Sequence, residues 1–527
     1  MERFFNTAGP VNCDDHYCLP PLTRFDLDEV MRFIGQKKYF VLHAPRQTGK
    51  TSCLLALMDY LNAAGKFRAL YINVEIGQSA RENVDAAMRA ILGQIASEVG
   101  RILGDRSLVP VFPDLLNAYG GHGALNEILT IWASADQKPA VLFLDEVDSL
   151  VGDTLISFLR QIRSGYTKRS SAFPQSIILC GIRDVRDYRI HSAAEKSVIT
   201  GGSAFNIKAE SLRLGDFSES ETHRLLSLHT EETGQSFIDG AAERIWDLTQ
   251  GQPWLVNALA HETCFAKTGE RDRSVPITGE MVSAAKERLI LRRDTHLDQL
   301  ADKLREDRVK RVIVPFLEGV GRPGDLKDDD LAYVRDLGLI RTQGGQVAVA
   351  NPIYQEIIPR ELTYGTQYTL AQPTEWYVMP DGRLDLEKLL TAFQEFFREH
   401  SEHWVERFDY KEAGPQLLLQ AFLQRVVNSG GRIEREYGLG RGRTDLLVIW
   451  PWSDGVQKAV IELKVLHKSI EKTLTEGLAQ TAAYMDRCGT AEGHLVIFDR
   501  TEGKPWEEKI FIRPEAFGTY DIQVWGM

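Results

Sequence analysis

The sequence predicts an α/β chain in which a parallel sheet is built around a phosphate-binding loop, with a second, separate α/β domain towards the C-terminus. Three observations carry that expectation. At Tyr39 to Ser52, YFVLHAPRQTGKTS, an apolar strand runs through a Gly-Lys-Thr turn into the helical pattern SCLLALMDYLNAAG. Strand and helix patterns then alternate through ALYINVEI, ENVDAAMRAILGQIASEVGRIL and PAVLFLDEVDSL, as parallel strands joined by helical crossovers do. Finally, residues 416–500 run helix, strand, strand, helix, strand, with carboxylates at strand positions.

Composition bounds the function classes. A chain of 527 residues, 43% hydrophobic and 26% charged, is long enough for roughly three or four domains. No apolar run approaches the ~18 residues of a membrane span, and MERFFNTAGPVNCDD lacks the apolar stretch of a secretory signal. A cytoplasmic setting with no membrane partner is therefore expected. The six cysteines (Cys13, Cys18, Cys53, Cys180, Cys264, Cys488) stand mostly in apolar surroundings, which suits reduced thiols better than a disulfide framework. A net charge of −12 argues against a protein that coats polyanions, so any nucleic-acid contact has to use a local patch.

Before the first strand, Cys13, His16 and Cys18 suggest a metal site. Structural zinc takes four ligands and no fourth stands nearby, so a turn that caps the base of a bound nucleotide is the preferred reading. Asp26 to Ile34 has the pattern of a helix delivering the chain to that strand. The loop itself comprises Ala44, Pro45, Arg46, Gln47, Thr48, Gly49, Lys50, Thr51 and Ser52. Backbone N–H groups of such a loop, with the start of the helix behind it, surround a triphosphate. ATP and Mg²⁺ are the expected ligands, with Lys50 reaching the β/γ-phosphates and Thr51 holding the metal. Ala44 stands where the pattern G-x-x-x-x-G-K-[ST] has its first glycine.

In PAVLFLDEVDSL the apolar run ends in Asp145-Glu146, which places two carboxylates at the carboxyl edge of a buried strand, where ligands bind in open α/β sheets. Asp145 would hold Mg²⁺ through water and Glu146 would polarise the attacking water. An acidic helix cap is the plainer explanation of either motif taken alone. Ser176 to Asp184, SIILCGIRD, reads as a further strand ending in Arg183, suited to sensing a γ-phosphate or to a surface salt bridge.

These residues resemble the AAA+ side of the P-loop NTPases, more closely the STAND and archaeal-type ATPases and the bacterial AAA-like group. The resemblance covers about Asn6 to Leu362 and rests on HAPRQTGKT, VLFLDEVD, GGSAFNIKAESLRLGDFSESE, TQGQPWLVNALA and NPIYQEIIPREL. In such proteins the Gly-x-Pro turn, here Gly251-Gln252-Pro253, lies in a helical lid near the nucleotide base, which puts Pro253 among the nucleotide-binding residues. Ala44 is compatible with the AAA-like group. An arginine finger is not assignable; Arg292 and Arg293 are candidates, although exposed helix arginines are the commoner case.

The expected core spans residues 1–205, a helical lid residues 206–290, and a winged helix residues 291–365. In the winged helix, LADKLREDRVKRVIVPFLEG and KDDDLAYVRDLGLIRTQGGQVAVANP supply helices and a two-stranded wing turning at Gly344-Gly345. Asp328, Asp329 and Asp330 begin the helix that would enter a DNA groove; carboxylates there cap the helix and repel phosphate. A contact within the chain or within a homo-oligomer is therefore favoured over DNA reading. A linker with a helix near Asp385 to Arg398 follows over residues 366–410.

Residues 411–527 hold the second centre. Asp445 opens the strand DLLVIW, and Glu462 and Lys464 lie two apart in AVIELKV, so they share a face of that strand. With Asp445 they make an oxygen-rich Mg²⁺ site beside an ammonium, suited to activating water against a phosphodiester. This resembles the PD-(D/E)xK, restriction-endonuclease-like fold, with Asp445, Glu462 and Lys464 matching its signature and Gly442-Arg443-Thr444-Asp445 its G-R-x-D form. Gln480 and Tyr484 look like the Q-x-x-x-Y element of its exonuclease-like branches. Many members carry a glutamate on the first helix; here Gln416 and Gln420 occupy the matching face and Glu412 lies early. DNA affinity would rest on Arg441, Arg443, Lys468 and Lys472. The combined expectation is an ATPase module that controls a Mg²⁺-dependent nuclease acting on DNA. The alternative is a regulatory or scaffold ATPase whose C-terminal domain binds nucleic acid or protein without cutting.

Overall fold

The computed structural model describes residues 2–169, 171–184, 189–192, 197–200, 205–266, 271–292, 302–317, 326–343, 346–362, 376–407, 419, 422–423, 431–438, 443–466, 469–499, 501 and 504–527. Two compact units emerge, Met1–Leu289 with Ala332–Ile340, and Ile290–Leu331 with Arg341–Met527.

The first unit begins with α1 (Leu27–Gly35), whose Asp26 cap accepts from Glu29 N at 2.9 Å. There follow β1 (Tyr39–His43), α2 (Lys50–Ala63), β2 (Arg68–Asn73), α3 (Val84–Leu103), α4 (Phe112–Tyr119), α5 (Ala124–Ser134), β3 (Ala140–Asp145), α6 (Gly152–Gly165) and β4 (Ser176–Gly181). After the hairpin β5 (Arg189–Ser192) and β6 (Ser197–Thr200) comes β7 (Lys208–Arg213). Among the described residues five strands pair in parallel in the order β2-β3-β4-β1-β7. One apolar cluster, with Leu70, Leu142 and Ile177, covers one face under α3, α5 and α6; another, with Phe40, Leu57 and Phe143, covers the other under α1 and α2. Strands buried on both faces read as continuous apolar runs, which is why β1, β3 and β4 were legible. This is the α/β architecture of the P-loop NTPases.

Three local differences from the sequence reading have physical causes. Strand β2 stops at Asn73, short of Ile76, because the Asn73 side chain accepts from Glu75 N at 2.9 Å and starts a 3-10 turn over Val74–Ala80. Residues 208–213, expected in the lid, form the edge strand beside β1, and their charged KAESLR pattern suits an edge. The helices begin only after Ser218, which forms a capping box with Glu221. These are α7 (Glu219–Thr233), α8 (Ala241–Thr249), α9 (Pro253–Cys264) and α10 (Gly279–Arg292). The thiol expectation holds for Cys53, Cys180, Cys264 and Cys488, free and buried, but Cys13 and Cys18 form a disulfide. A turn in which His16 N donates to Asn12 O at 2.8 Å brings the two together.

Residues 302–362 then supply α11 (Asp307–Leu317), α12 (Asp328–Asp336), β8 (Ile340–Gln343), β9 (Gln346–Val349) and α13 (Pro352–Leu362). Strands β8 and β9 pair as expected; their turn, Gly344-Gly345, lies outside the described residues. Asp330 at the start of α12 is paired with Arg308 at 3.2 Å and Arg311 at 3.4 Å.

The rest of the second unit contains α14 (Leu386–Arg407), β10 (Arg432–Gly438), β11 (Arg443–Trp452), β12 (Gly455–Val465), α15 (Ile470–Cys488), β13 (Glu492–Phe498), β14 (Phe511–Phe517) and β15 (Tyr520–Gly526). Among the described residues six strands form a mixed sheet in the order β10-β11-β12-β13-β15-β14. The run RIEREYGLGRGRTDLLVIWP, read as one strand, is the antiparallel pair β10 and β11. Along β11, Leu446, Val448 and Trp450 join the apolar cluster with α14, while Leu447 and Ile449 join the cluster with α15, the two-faced alternation of a sheet between helical layers. Among the described residues no helix is long and apolar enough to cross a membrane.

Candidate functional site: a phosphate loop and a strand carboxylate pair

Strand β1 delivers the chain into the loop and α2 begins at Lys50. Gln47 and Gly49 have left-handed backbones, φ 58° and 93°, with Thr48 between them; alternation of this kind builds an anion-binding concavity. Ala44 is fully buried in the core beside Leu42 and Cys53, and its φ is not among the positive ones. The missing first glycine is thereby explained: a Cβ is accommodated and no left-handed backbone is needed. Thr48 Oγ1 donates to Pro45 O at 2.9 Å, and Lys50 Nζ donates to Ala44 O and Pro45 O, both at 2.9 Å. The ammonium is thus held across the loop rather than out in solvent. Arg46 and Gln47 are exposed at the rim.

Asp145 ends β3, with β4 between it and β1. Its carboxylate is fully buried and accepts from Thr51 Oγ1 at 2.7 Å, Tyr71 Oη at 2.9 Å and Glu146 N at 2.9 Å. Thr51 and Asp145, expected to share a Mg²⁺, are brought together by direct contact, and a hydroxyl next to a carboxylate is a hard-oxygen donor set that fits that ion. Burial and the negative charge of Asp145 push the Tyr71 phenol well above its ordinary range. Glu146 has a left-handed backbone, φ 56°, and its carboxyl is raised by burial, then by the charges of Asp148 and Asp145.

Arg183 follows β4 and its guanidinium lies 4.8 Å from the ring centroid of Tyr333. Nearby, Arg213 donates to Arg335 O at 3.2 Å. Pro253, at the first turn of α9, lines a cleft of ≈ 130 Å³ together with Asn6, Val11, Tyr17, Arg24 and Gly49. The segment before α1 is fastened here: Val11 N donates to Ser52 Oγ at 3.0 Å, Trp254 Nε1 to Thr7 O at 2.9 Å, and Cys53 Sγ to Pro21 O at 3.4 Å. Ser52 is thus engaged with the N-terminal segment. Cys18 also lines the cleft, and its disulfide to Cys13 removes the thiolates that a metal site there would need.

Motif spacing missed two residues. Arg24, its side chain 7% exposed, points its guanidinium at Thr48 O (3.5 Å) and Gly215 O (2.6 Å) and lies 4.3 Å from the Phe217 ring centroid. It bridges Thr48 of the phosphate loop and Gly215, in the stretch between β7 and α7. Tyr71 sits on β2, beside β3 in register. Neither belongs to a recognisable pattern; only the sheet order and the packing of the N-terminal segment bring them in.

In the C-terminal sheet, β11 and β12 pair antiparallel with Leu446 opposite Ile461, so Asp445 and Glu462 occupy the next cross-strand backbone position. The side chain of Asp445 lies outside the described residues, as do Arg441, Gly442, Lys468, Glu412, Gln416 and Gln420. Glu462 is 2% exposed and its Oε1 accepts from Lys464 Nζ at 2.6 Å, the shared strand face that the two-residue spacing predicts. On α15, Gln480 is exposed, whereas Tyr484 is buried in the apolar cluster with Leu447 and Leu495. Arg292, at the end of α10, is exposed, and Arg293 lies outside the described residues.

No protein-family model matches the chain, and no curated protein matches it. Solved structures similar to it are P-loop ATPases. A Walker-type ATPase of Pyrococcus abyssi is 14% identical with a TM-score of 0.44, the match covering 67% of this chain and 99% of that one. Cdc6p from Pyrobaculum aerophilum is 15% identical with a TM-score of 0.34, over 65% and 93% of the two chains. The Drosophila ORC bound to DNA is 13% identical with a TM-score of 0.36, over 77% and 87%. The fold assignment rests on the sheet order and the phosphate loop.

Proposed function

We propose that this chain is an ATP-binding and ATP-hydrolysing switch whose C-terminal domain, of restriction-endonuclease-like type, cleaves DNA phosphodiesters with Mg²⁺. The observation that carries the nucleotide half is the contact between Thr51 Oγ1 and Asp145 Oδ2 at 2.7 Å, at the end of a loop with an ammonium across it. In this reading the loop's N–H groups and Lys50 bind the phosphates, Thr51 and Asp145 hold Mg²⁺, and Glu146 takes the proton of the attacking water. Mg²⁺ held there would supply neutralisation of the phosphate charge. The Asn6 to Pro21 segment and Pro253 enclose the base.

The nuclease half is supported by the cross-strand register that sets Asp445 opposite Glu462, and by the Lys464–Glu462 pair at 2.6 Å. The order β10, β11, β12, α15, β13 keeps the strand, helix, strand succession read from the sequence, with one strand more before the helix. Asp445 and Glu462 would hold a Mg²⁺, which acidifies bound water; Lys464 orients that water and offsets the charge of the pentacovalent phosphate. In this reading Gln480, exposed on α15, meets the DNA backbone, and Tyr484, buried beneath, braces the helix that carries it. Coupling between the two halves is part of the proposal, with the homo-oligomer as one route to it.

The test incubates the purified protein with plasmid DNA and Mg²⁺, with and without ATP, beside Asp445→Ala and Lys50→Ala. Cleavage lost in Asp445→Ala and altered in Lys50→Ala is expected. Cleavage that persists in Asp445→Ala removes the nuclease assignment; DNA binding without cutting by the wild type establishes the scaffold alternative; indifference to Lys50→Ala removes the coupling.

A further inference from the structure

The magnesium half of the nucleotide site contains a residue with no place in the phosphate-loop motifs. Tyr71 Oη donates to Asp145 Oδ2 at 2.9 Å, the oxygen that also accepts from Thr51 Oγ1 at 2.7 Å, while Glu146 N donates to Oδ1 at 2.9 Å. A carboxylate offers about four lone-pair sites. Oδ2 takes both hydroxyls and Oδ1 the main-chain N–H, and the buried Cys180 thiol also hydrogen-bonds this carboxylate.

We propose that Tyr71 is a positioning residue for the metal of this site, its hydroxyl locking the Asp145 carboxylate in the orientation that meets a metal-bound water. The inference rests on the nucleotide reading above.

The geometry gives the reason. Asp145 is fully buried, so water is not at hand to replace a lost donor. Its Oδ1 is fixed by a main-chain N–H, which cannot move without moving the strand end. Its Oδ2 is fixed by two hydroxyls from different elements, one on α2 and one on β2. Thr51 is itself an expected metal ligand, so its hydroxyl has to turn a lone pair towards the ion when the metal binds. Tyr71 has no such second duty. Its hydroxyl is the donor on Oδ2 that stays in place through binding, and it keeps the carboxylate from rotating about its Cβ–Cγ bond. Parallel pairing of β2 with β3, with Tyr71 beside Phe143 and Asn73 beside Asp145, sets the phenol just short of the strand end, so the ring passes beneath the carboxylate. The ring packs with the apolar cluster under α2; this part of the side chain survives in phenylalanine.

Tyr71→Phe deletes one oxygen and separates positioning from packing. The affinity of a fluorescent ATP analogue is measured in EDTA and then across a Mg²⁺ titration, together with hydrolysis and the thermal midpoint in EDTA. In Tyr71→Phe the EDTA affinity is expected to match the wild type, while the midpoint in EDTA falls by a few degrees for the lost hydrogen bond to a buried carboxylate. The Mg²⁺ concentration at half-effect is expected to rise about tenfold, the effect of one hydrogen bond to a charged group, with kcat falling and the ATP KM little changed. A Mg²⁺ titration that superimposes on the wild type overturns the inference. So does an equal loss of affinity with and without Mg²⁺, which marks a merely structural role. Failure of the nucleotide reading looks different: the wild type then binds no analogue in either condition, or Lys50→Ala binds it as well as the wild type does, and the Tyr71 assignment falls with it.

Discussion

Replacing Arg24 with methionine keeps the hydrocarbon stem and removes the guanidinium that joins the phosphate loop to the stretch between β7 and α7. The dominant loss is the charge-assisted hydrogen bond to Gly215 O at 2.6 Å, worth about 1.5–3 kcal/mol. The guanidinium over Phe217, 4.3 Å from the ring centroid, adds about 1 kcal/mol in this part-desolvated setting. The approach to Thr48 O at 3.5 Å is long and contributes little, and the Glu221 contact at 4.0 Å, to a carboxylate one-third exposed, is discounted to a few tenths of a kcal/mol, ~0.3. Against these stands the desolvation that the buried cation no longer suffers, a cost visible in the lowering of the Arg24 guanidinium by burial, which recovers about 1–2 kcal/mol. A net destabilisation of about 2 kcal/mol follows. If that energy serves to orient the lid against the loop, nucleotide affinity falls by up to about thirtyfold. Chemical denaturation gives the first number and titration with a fluorescent ATP analogue the second. A variant that unfolds at the wild-type midpoint and binds nucleotide as tightly refutes the assignment of Arg24 as a bridge.

Two further outcomes are expected. Gly251→Ala combines a left-handed backbone, φ 78°, with a Cβ 2.0 Å from Phe217 O; a loss of about 3 kcal/mol or more is expected by thermal or urea unfolding, and a stable variant with intact nucleotide binding would show that this turn does not fix the lid. Because burial and the charges of Asp148 and Asp145 raise the Glu146 carboxyl, ATP hydrolysis is expected to decline with falling pH at a pH above that of an ordinary glutamate, since the protonated acid cannot accept the water's proton. The pH–rate profile measures this, and Glu146→Gln should bind ATP while losing hydrolysis by about 100-fold or more; an acid limb at the usual glutamate value would count against the role.

What was legible in the sequence was what is written in contiguous residues. YFVLHAPRQTGKTS announced a strand, a turn and a helix, and Asp145 at the end of an all-apolar run announced the carboxyl edge of a buried strand, because a strand covered on both faces must be apolar throughout. The two-residue spacing of Glu462 and Lys464 sufficed to put them on one face, since side chains alternate along any strand. Less was legible where a polar edge strand looks like a loop. KAESLR gives no apolar run, so its place beside β1 was hidden, and the glycine-rich break between β10 and β11 was passed over as one strand.

The sequence by itself determined the phosphate loop, the carboxylate strand and the apolar strands and helices nearest them, since those follow from local periodicity and turn chemistry. Only the tertiary structure decided that Tyr71 holds Asp145, that Arg24 spans from Thr48 to Gly215, and that the segment before α1 docks on Ser52 and Trp254. Each of these depends on which strands are neighbours and where a distant segment docks. A hydrogen bond between residues far apart in the chain leaves no spacing for a sequence to display.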